Sequence, residues 1–335
     1  MKASKFMLFI FVFWLIVQEG VGLILGVASS LGRPINVMDN IWIMSVVQLF
    51  GLLLPLFIWL RITKDSFKRN MPNRPLGITN IVLLTIMSFL IIPFAMFISA
   101  ISGLFVTNDV AVMLQSLSTQ PWWLMMLVFA VVPGIVEELV FRGYIQSNTG
   151  GSVTKIAVLS GFLFAIMHLN LHQFVYTFVL GVVFAYMVYY TKNIWAGIIP
   201  HFIMNGTNVT LSHWATRGLY NGEFPAEEAT FAQQLYEAFV EMDPTLAQRA
   251  YEWAQGVHET ILMIGVIGVF AVFTTAGFAG VFIAFMSHNR KRSKAFEVAP
   301  EAALEEMQEE ASEPRRWDWY LAVVVALYLL FVFLL

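Results

Sequence analysis

The chain has 335 residues, of which 59% are hydrophobic, 15% aromatic and only 12% charged, with a mean hydropathy of +0.73. About a quarter of an average soluble domain is charged, so this composition excludes an ordinary water-soluble enzyme and makes the bilayer, at about 20 apolar residues per crossing, the ruler for the chain. The absence of cysteine excludes disulfides, iron–sulfur clusters, thiolate zinc sites and a cysteine nucleophile, and a formal charge of −3 gives no sign of a nucleic-acid partner.

Apolar runs at about 6–28, 41–60, 78–106, 122–146, 153–170, 173–190, 194–212, 260–286 and 319–335 predict an all-α, polytopic transmembrane bundle of about nine helices. The first run follows Lys2 and Lys5 but continues past Gln18 and Glu19 without a clear small-residue cleavage site, so a retained helix is expected rather than a signal peptide. Basic residues set the orientation, because Lys and Arg in short loops stay on the cytoplasmic side. With the N-terminus inside, only Arg33, Arg217 and Arg249 of the 19 basic residues fall outside. The expected location is therefore a multi-pass position in a membrane, taken to be a bacterial plasma membrane, with the N-terminus cytoplasmic and the C-terminus outside.

The chain divides into N-terminal transmembrane helices (1–120), a polar-bearing core of four helices (121–212), an outer amphipathic segment (213–259), an eighth span (260–286), a charged cytoplasmic segment (287–316) and a ninth span (317–335). In the outer segment, Asp243 and Pro244 read as an N-cap and first helical residue. The same segment carries seven acidic residues from Glu223 to Glu252 and spaced apolar positions Phe231, Leu235 and Phe239. Asn170 and His172 are expected at a solvated outer turn. No repeat argues for a transporter with inverted halves.

Ionisable groups inside spans are costly and are functional candidates by default. Here they cluster in the fourth, fifth and seventh runs: Glu137, Glu138 and Arg142 in EELVFR, Phe164 and His168 in FAIMH, His201 and Asn205 in HFIMN. Glu138 and Arg142, Phe164 and His168, and His201 and Asn205 are each at i and i+4, so each pair shares a helix face. At 1.5 Å per residue, Glu137, His168 and His201 lie about 10 to 22 Å from the inner helix ends, deep enough to meet in one cavity. A carboxylate, two imidazoles and an amide in a low-dielectric cavity supply a base for a water molecule and donors for a developing oxyanion. Each group alone also has a purely structural reading: a snorkelling ion pair for Glu138 and Arg142, an interhelical hydrogen bond for His168, repair of a proline break for His201 after Pro200. All of them together in one core make that reading the weaker one.

The three motifs, EExxxR, FxxxH and HxxxN in that order, resemble those of the CPBP family of intramembrane endopeptidases, which includes the CAAX prenyl endopeptidases and the bacteriocin-processing or Abi proteins. The resemblance covers about 137–208. It implies a helical fold with a membrane-embedded site opening toward the cytoplasmic side, and hydrolysis of a peptide bond in a membrane-associated or lipidated peptide. Carried across, Glu137 activates the water, His168 helps to hold that water or a metal, His201 and Asn205 stabilise the oxyanion or ligate, and Glu138 and Arg142, with Phe164, support the site. The family is described both as metal-dependent and as glutamate-dependent without metal. Two imidazoles, His168 and His201, with a carboxylate have the donor types of a Zn2+ site with an open position. Against this, a Glu137 bound to metal is less free to act as a base and asparagine is an unusual zinc ligand, so a glutamate-activated water is preferred. The alternative class is a non-catalytic scaffold or regulator, or a proton-coupled transporter using the same buried groups. Substrate identity and oligomeric state are not legible in one sequence.

Overall fold

The computed structural model describes residues 2–33, 41–117, 119–218, 240, 243–294 and 318–334. They form helices α1 (Lys2–Ser30), α2 (Trp42–Ile62), α3 (Ile78–Ser102), α4 (Trp122–Ile145), α5 (Val153–Ile166), α6 (Leu171–Thr191), α7 (Trp195–Gly218), α8 (Pro244–Lys294) and α9 (Trp319–Leu334), with short helices at Phe67–Asn70 and Asp109–Ser116. No strand occurs among the described residues, which contain one isolated bridge between Asn73 and Asn193. α1, α2, α3, α4, α6 and the Ile261–Lys291 part of α8 are long and apolar enough to cross a membrane. α5 and α9 are apolar but shorter, while α7 interrupts its apolar run with His201, Asn205, Asn208 and His213. Large apolar side chains such as Val269, Phe270, Phe273 and Ile283 of α8 are exposed, as the lipid-facing side of a multi-pass membrane protein requires.

Three apolar clusters assemble the bundle. The buried residues of α1, Ala3, Phe6, Met7, Ile10 and Phe11, recur at helical spacing and pack with Val140, Phe141 and Tyr144 of α4 and with Val324 and Tyr328 of α9. A second cluster joins α3, α6, α7 and α8 through Leu84, Met87, Phe184, Met187, Met204 and Phe285. The third docks the short helix Asp109–Ser116, through Leu114, onto Leu124, Met125 and Val128 of α4 and Val209 of α7.

α2 and α4 are not regular. Each has a π-helical turn, at Leu49–Leu53 and Leu127–Val131, just before a proline, Pro55 or Pro133. Proline has no N–H and its ring crowds the carbonyl four residues back, and a locally widened turn accommodates both. A third π-helical stretch, Leu139–Ile145, begins directly after Glu138; such turns recur at functional sites.

The basic loops gather at one end. Arg74 N–H donates to the Lys192 carbonyl at 2.9 Å and Ile194 N–H to that of Pro72 at 2.7 Å. Asn148 Nδ2 donates to Asn70 Oδ1 at 2.7 Å, Ser147 Oγ to the Asn70 carbonyl at 3.0 Å, and Arg290 to the Tyr190 hydroxyl at 3.3 Å. Asp243 caps α8 as expected, accepting from the backbone of Thr245 and Leu246. α8, however, runs without a break to Lys294, because no proline lies between 245 and 294; no helix end falls at 260. Most of the acidic outer segment, with Phe231, Leu235 and Phe239, and the segment 295–317 lie outside the described residues.

Candidate active site

A cavity of about 320 Å³ lies inside the bundle, and Glu137, Phe164, His168, His201 and Asn205 all line it. Helices α4, α5 and α7 therefore bring the three motifs to one place. Glu138 and Arg142 stand behind the cavity wall, both fully buried.

The two adjacent glutamates have opposite surroundings. Glu138 Oε1 accepts from Arg142 at 2.8 Å and from Nδ1 of His201 at 2.9 Å. Since a carboxylate only accepts, His201 carries its proton on Nδ1 and turns Nε2 toward Glu137, whose Oε2 is 3.7 Å away. That Glu137 oxygen is buried and has no hydrogen-bond partner. Arg142 also donates to the Gly181 carbonyl at 3.1 Å, and its guanidinium lies 4.4 Å from the ring centre of Phe164 and 5.5 Å from that of Phe184. A buried charge needs such compensation.

Close backbone approaches make this possible. At Gly197 a Cβ would collide with Glu138 Oε2, so α7 reaches the carboxylate only because residue 197 has no side chain. At Gly181 a Cβ would lie 2.8 Å from Gly161 Cα; this contact between α5 and α6 lets the Gly181 carbonyl face Arg142. Glycine pairs serve such close packing in membrane helices.

His168 corrects one expectation. α5 ends at Ile166 rather than reaching 170, and His168 sits in the following turn, where Leu169 has φ 50° and Asn170 caps α6. Its Nδ1 donates to the Phe164 carbonyl at 2.9 Å, since a carbonyl can only accept, satisfying an acceptor freed by the helix end. The ring packs edge-on against Phe164 at 4.8 Å, so the i, i+4 relation survives while Nε2 is left with its lone pair. His172 is a second correction: it is 2% exposed, with an unpartnered Nδ1, not solvated.

The rest of the cavity wall includes Ser99, Asn108, Met113, Gln173, Asn208 and Ser212, which lie toward the helix ends remote from the basic loops, while the loop after α2 packs across the basic end. Residues with no motif to announce them, Phe184, Gly181 and Gly197, contact the site; the two glycines are signalled only as small residues within apolar runs, and Phe184 not at all.

Among the described residues, no group of three or more His, Asp or Glu side chains is placed to hold a metal ion. Nε2 of each histidine and the Glu137 carboxylate have the donor types for a metal, but they are not brought together as a ligand set, so the arrangement as it stands does not fit a resident zinc and no step below is routed through one.

Comparisons with known proteins agree with the motifs. The family model described as type II CAAX prenyl endopeptidase Rce1-like matches residues 119–207, from just before α4 into α7. The chain is 27% identical over 178 residues, half of its length and 69% of the relative's, to "Putative membrane peptidase YdiL" of Bacillus subtilis (strain 168). No solved structure matches. With three motifs in order around one cavity and the matched segment spanning them, this chain is a multi-pass membrane protein that is similar, over that segment, to the Rce1-like CAAX prenyl endopeptidases and to a relative named as a membrane peptidase.

Proposed function

We propose that the protein is an intramembrane endopeptidase that hydrolyses a peptide bond of a membrane-associated peptide with a water activated by Glu137. The observation that carries this is the pair Glu137 and His201 at the cavity floor: a buried carboxylate oxygen without a partner, 3.7 Å from an imidazole nitrogen that Glu138 orients from behind. Glu137 takes a proton from water as its oxygen attacks the scissile carbonyl. The lone pair on Nε2 of His168 receives the water's other hydrogen in a hydrogen bond and so holds it in line. The tetrahedral oxyanion is stabilised by the Asn205 amide N–H, with His201, held through Nδ1 by Glu138, beside it in the cavity wall. Glu137 then returns the proton to the leaving amine, and water plus peptide become a carboxylic acid and an amine. Arg142 and Phe164 keep Glu138 and the two histidines in register.

The test uses a quenched-fluorescent membrane peptide, farnesylated and unlipidated, with the full chain in detergent. Glu137→Gln is expected to lower hydrolysis by about 10² to 10⁴-fold, the range of a lost general base, with an unchanged unfolding midpoint. A chelator is expected to leave the wild-type rate unaltered. Hydrolysis retained by Glu137→Gln would overturn the mechanism; loss on chelation would mean that the histidines bind a metal.

A further inference from the structure

Resting on the peptidase reading above, we infer that Gln48 of α2 is a substrate-binding residue, whose side-chain Oε1 accepts from a main-chain N–H of the peptide beside the scissile bond. Buried polar atoms are nearly always paired, so each exception needs a cause. Among the described residues, several side-chain atoms are buried without a hydrogen-bond partner, but only two of them belong to residues that line the cavity: Oε2 of Glu137 and Oε1 of Gln48. The first is the oxygen assigned above to the attacking water. The second is an acceptor in the same cavity for which the water chemistry has no use. Gln48 is also the one residue of α1 or α2 in the lining, and it lies far before the segment 119–207 that matches the family model.

The structural uses of a glutamine inside a helix bundle do not account for this amide. It does not cap a turn: the π-helical stretch Leu49–Leu53 begins directly after Gln48, and no side-chain hydrogen bond closes its start. It does not tie α2 to α1. The Trp14 ring occupies the space that a Cβ on Gly51 would need, so the two helices touch one turn further on, yet Nε1 of Trp14 is itself buried without a partner. Nor does it lock α2 to α4: Trp42–Gln48 packs against Val132–Glu138, the stretch that carries the two glutamates, and Oε1 finds no donor there either. The packing on both sides sets where Gln48 stands and leaves its oxygen unused.

The chemistry of the side chain describes what it meets. A carboxamide has the same groups as a peptide unit, an accepting oxygen and N–H donors without charge, so it pairs with a main chain whatever side chains the peptide carries. A main-chain N–H that enters a cavity walled in part by Ile92, Phe129 and Leu180 leaves water behind and needs an acceptor. Glu137 is the one acidic residue in the lining among the described residues. An amide at position 48 adds an acceptor to that wall without placing a second negative charge in the cavity with the base.

The test uses the full chain in detergent and the farnesylated quenched-fluorescent peptide, made once with all its amides and again with each amide flanking the scissile bond replaced in turn by an ester, which removes one N–H. With the wild type, one of the esters is expected to raise KM about 5- to 30-fold, the effect of leaving a buried acceptor unpaired, with little change in kcat. Gln48→Met is expected to raise KM for the all-amide peptide by a similar factor and to show no further loss with that ester. Gln48→Glu, which keeps an acceptor, is expected to retain the ester penalty. The unfolding midpoint of Gln48→Met is expected to equal or exceed that of the wild type, because an unpaired buried atom is removed. Fluorescence anisotropy of singly labelled copies of the same peptides, with Gln48 and its variants in the Glu137→Gln chain, reads the same factors as Kd without turnover. An unaltered KM in Gln48→Met, or an ester penalty of equal size with and without Gln48, would overturn the contact. If the wild type hydrolyses no peptide while Kd keeps the penalty that depends on Gln48, the peptidase reading falls and the contact stands. If the Glu137→Gln chain binds none of the peptides, the contact falls.

Discussion

The floor of the cavity and its far wall are held by different kinds of contact. Beneath Glu137, two fully buried charges are compensated by an imidazole and a backbone carbonyl, and two helices touch at glycine. Along the far wall, the short helix Asp109–Ser116 is held by apolar packing of Leu114 and by partly exposed hydrogen bonds. Asn108 caps it and Asn170 donates to Asp109 at 3.2 Å. Desolvated ionic contacts fix geometry because each partner left alone is severely destabilising; exposed polar contacts exchange readily with water. The comparison teaches that the candidate catalytic groups are pre-organised from behind while the far wall is held by contacts that can yield.

The strongest way to break that contrast is at the floor. Glu138→Ala leaves the Arg142 charge buried without its carboxylate, and about 3–5 kcal/mol of stability is expected to be lost, read as the denaturant midpoint in detergent. The double change Glu138→Leu with Arg142→Met removes both charges, and stability is expected to recover, since apolar replacement of a buried pair is often neutral. Hydrolysis should stay lost in the double variant, because His201 Nδ1 then has no acceptor. Recovery of both properties would show that Glu138 serves only packing.

Gly181→Ala sharpens the same point at smaller cost. Its Cβ would stand 2.8 Å from the Gly161 backbone, and backbone cannot rotate away as a side chain can. An overpacking penalty of about 1–3 kcal/mol is expected. Hydrolysis is expected to fall as the Gly181 carbonyl is drawn off Arg142. An unaltered rate would mean that the floor tolerates more play than its contacts imply.

These contrasts explain what the sequence could reveal. Apolar runs of crossing length showed the helices, and i, i+4 spacing placed Glu138 on Arg142 and His201 beside Asn205, because regular helix carries spacing directly into space. The end of α5 at Ile166 was not legible: its breaker is a left-handed Leu169, a residue type that gives no such signal. The helix Asp109–Ser116 was also missed, being only eight residues long and helical chiefly through its docking on α4 and α7.

Beside the far wall, Asn170→Ala removes the side chain that caps α6 by accepting from Gln173 N–H and that reaches Asp109. The loss of a cap is worth about 1 kcal/mol, and the hydrolysis rate at saturating peptide is expected to stay near that of the wild type. A fall in rate as large as that of the Gly181 variant would erase the distinction between floor and far wall.

The smallest effect is electrostatic and lies in the loop that closes the basic end. Burial alone would raise the pKa of Asp65, but hydrogen bonds from Ser66 N–H, Arg69 and Asn70 outweigh it and hold the carboxyl below the ordinary carboxylate range. Because the folded value lies below the unfolded one of about 3.9, this contribution is complete above the unfolded pKa and is lost as pH falls through the folded value. Arg69 is 69% exposed, so solvent screens the pair and the effect is small. The unfolding midpoint of Asp65→Asn is expected slightly below that of the wild type at pH 7, the gap closing as the pH drops below about 4. A gap that persists in acid would mean that Asp65 holds the loop by its shape and not by its charge, leaving the closure at that end to the Asn70, Pro72 and Arg74 hydrogen bonds.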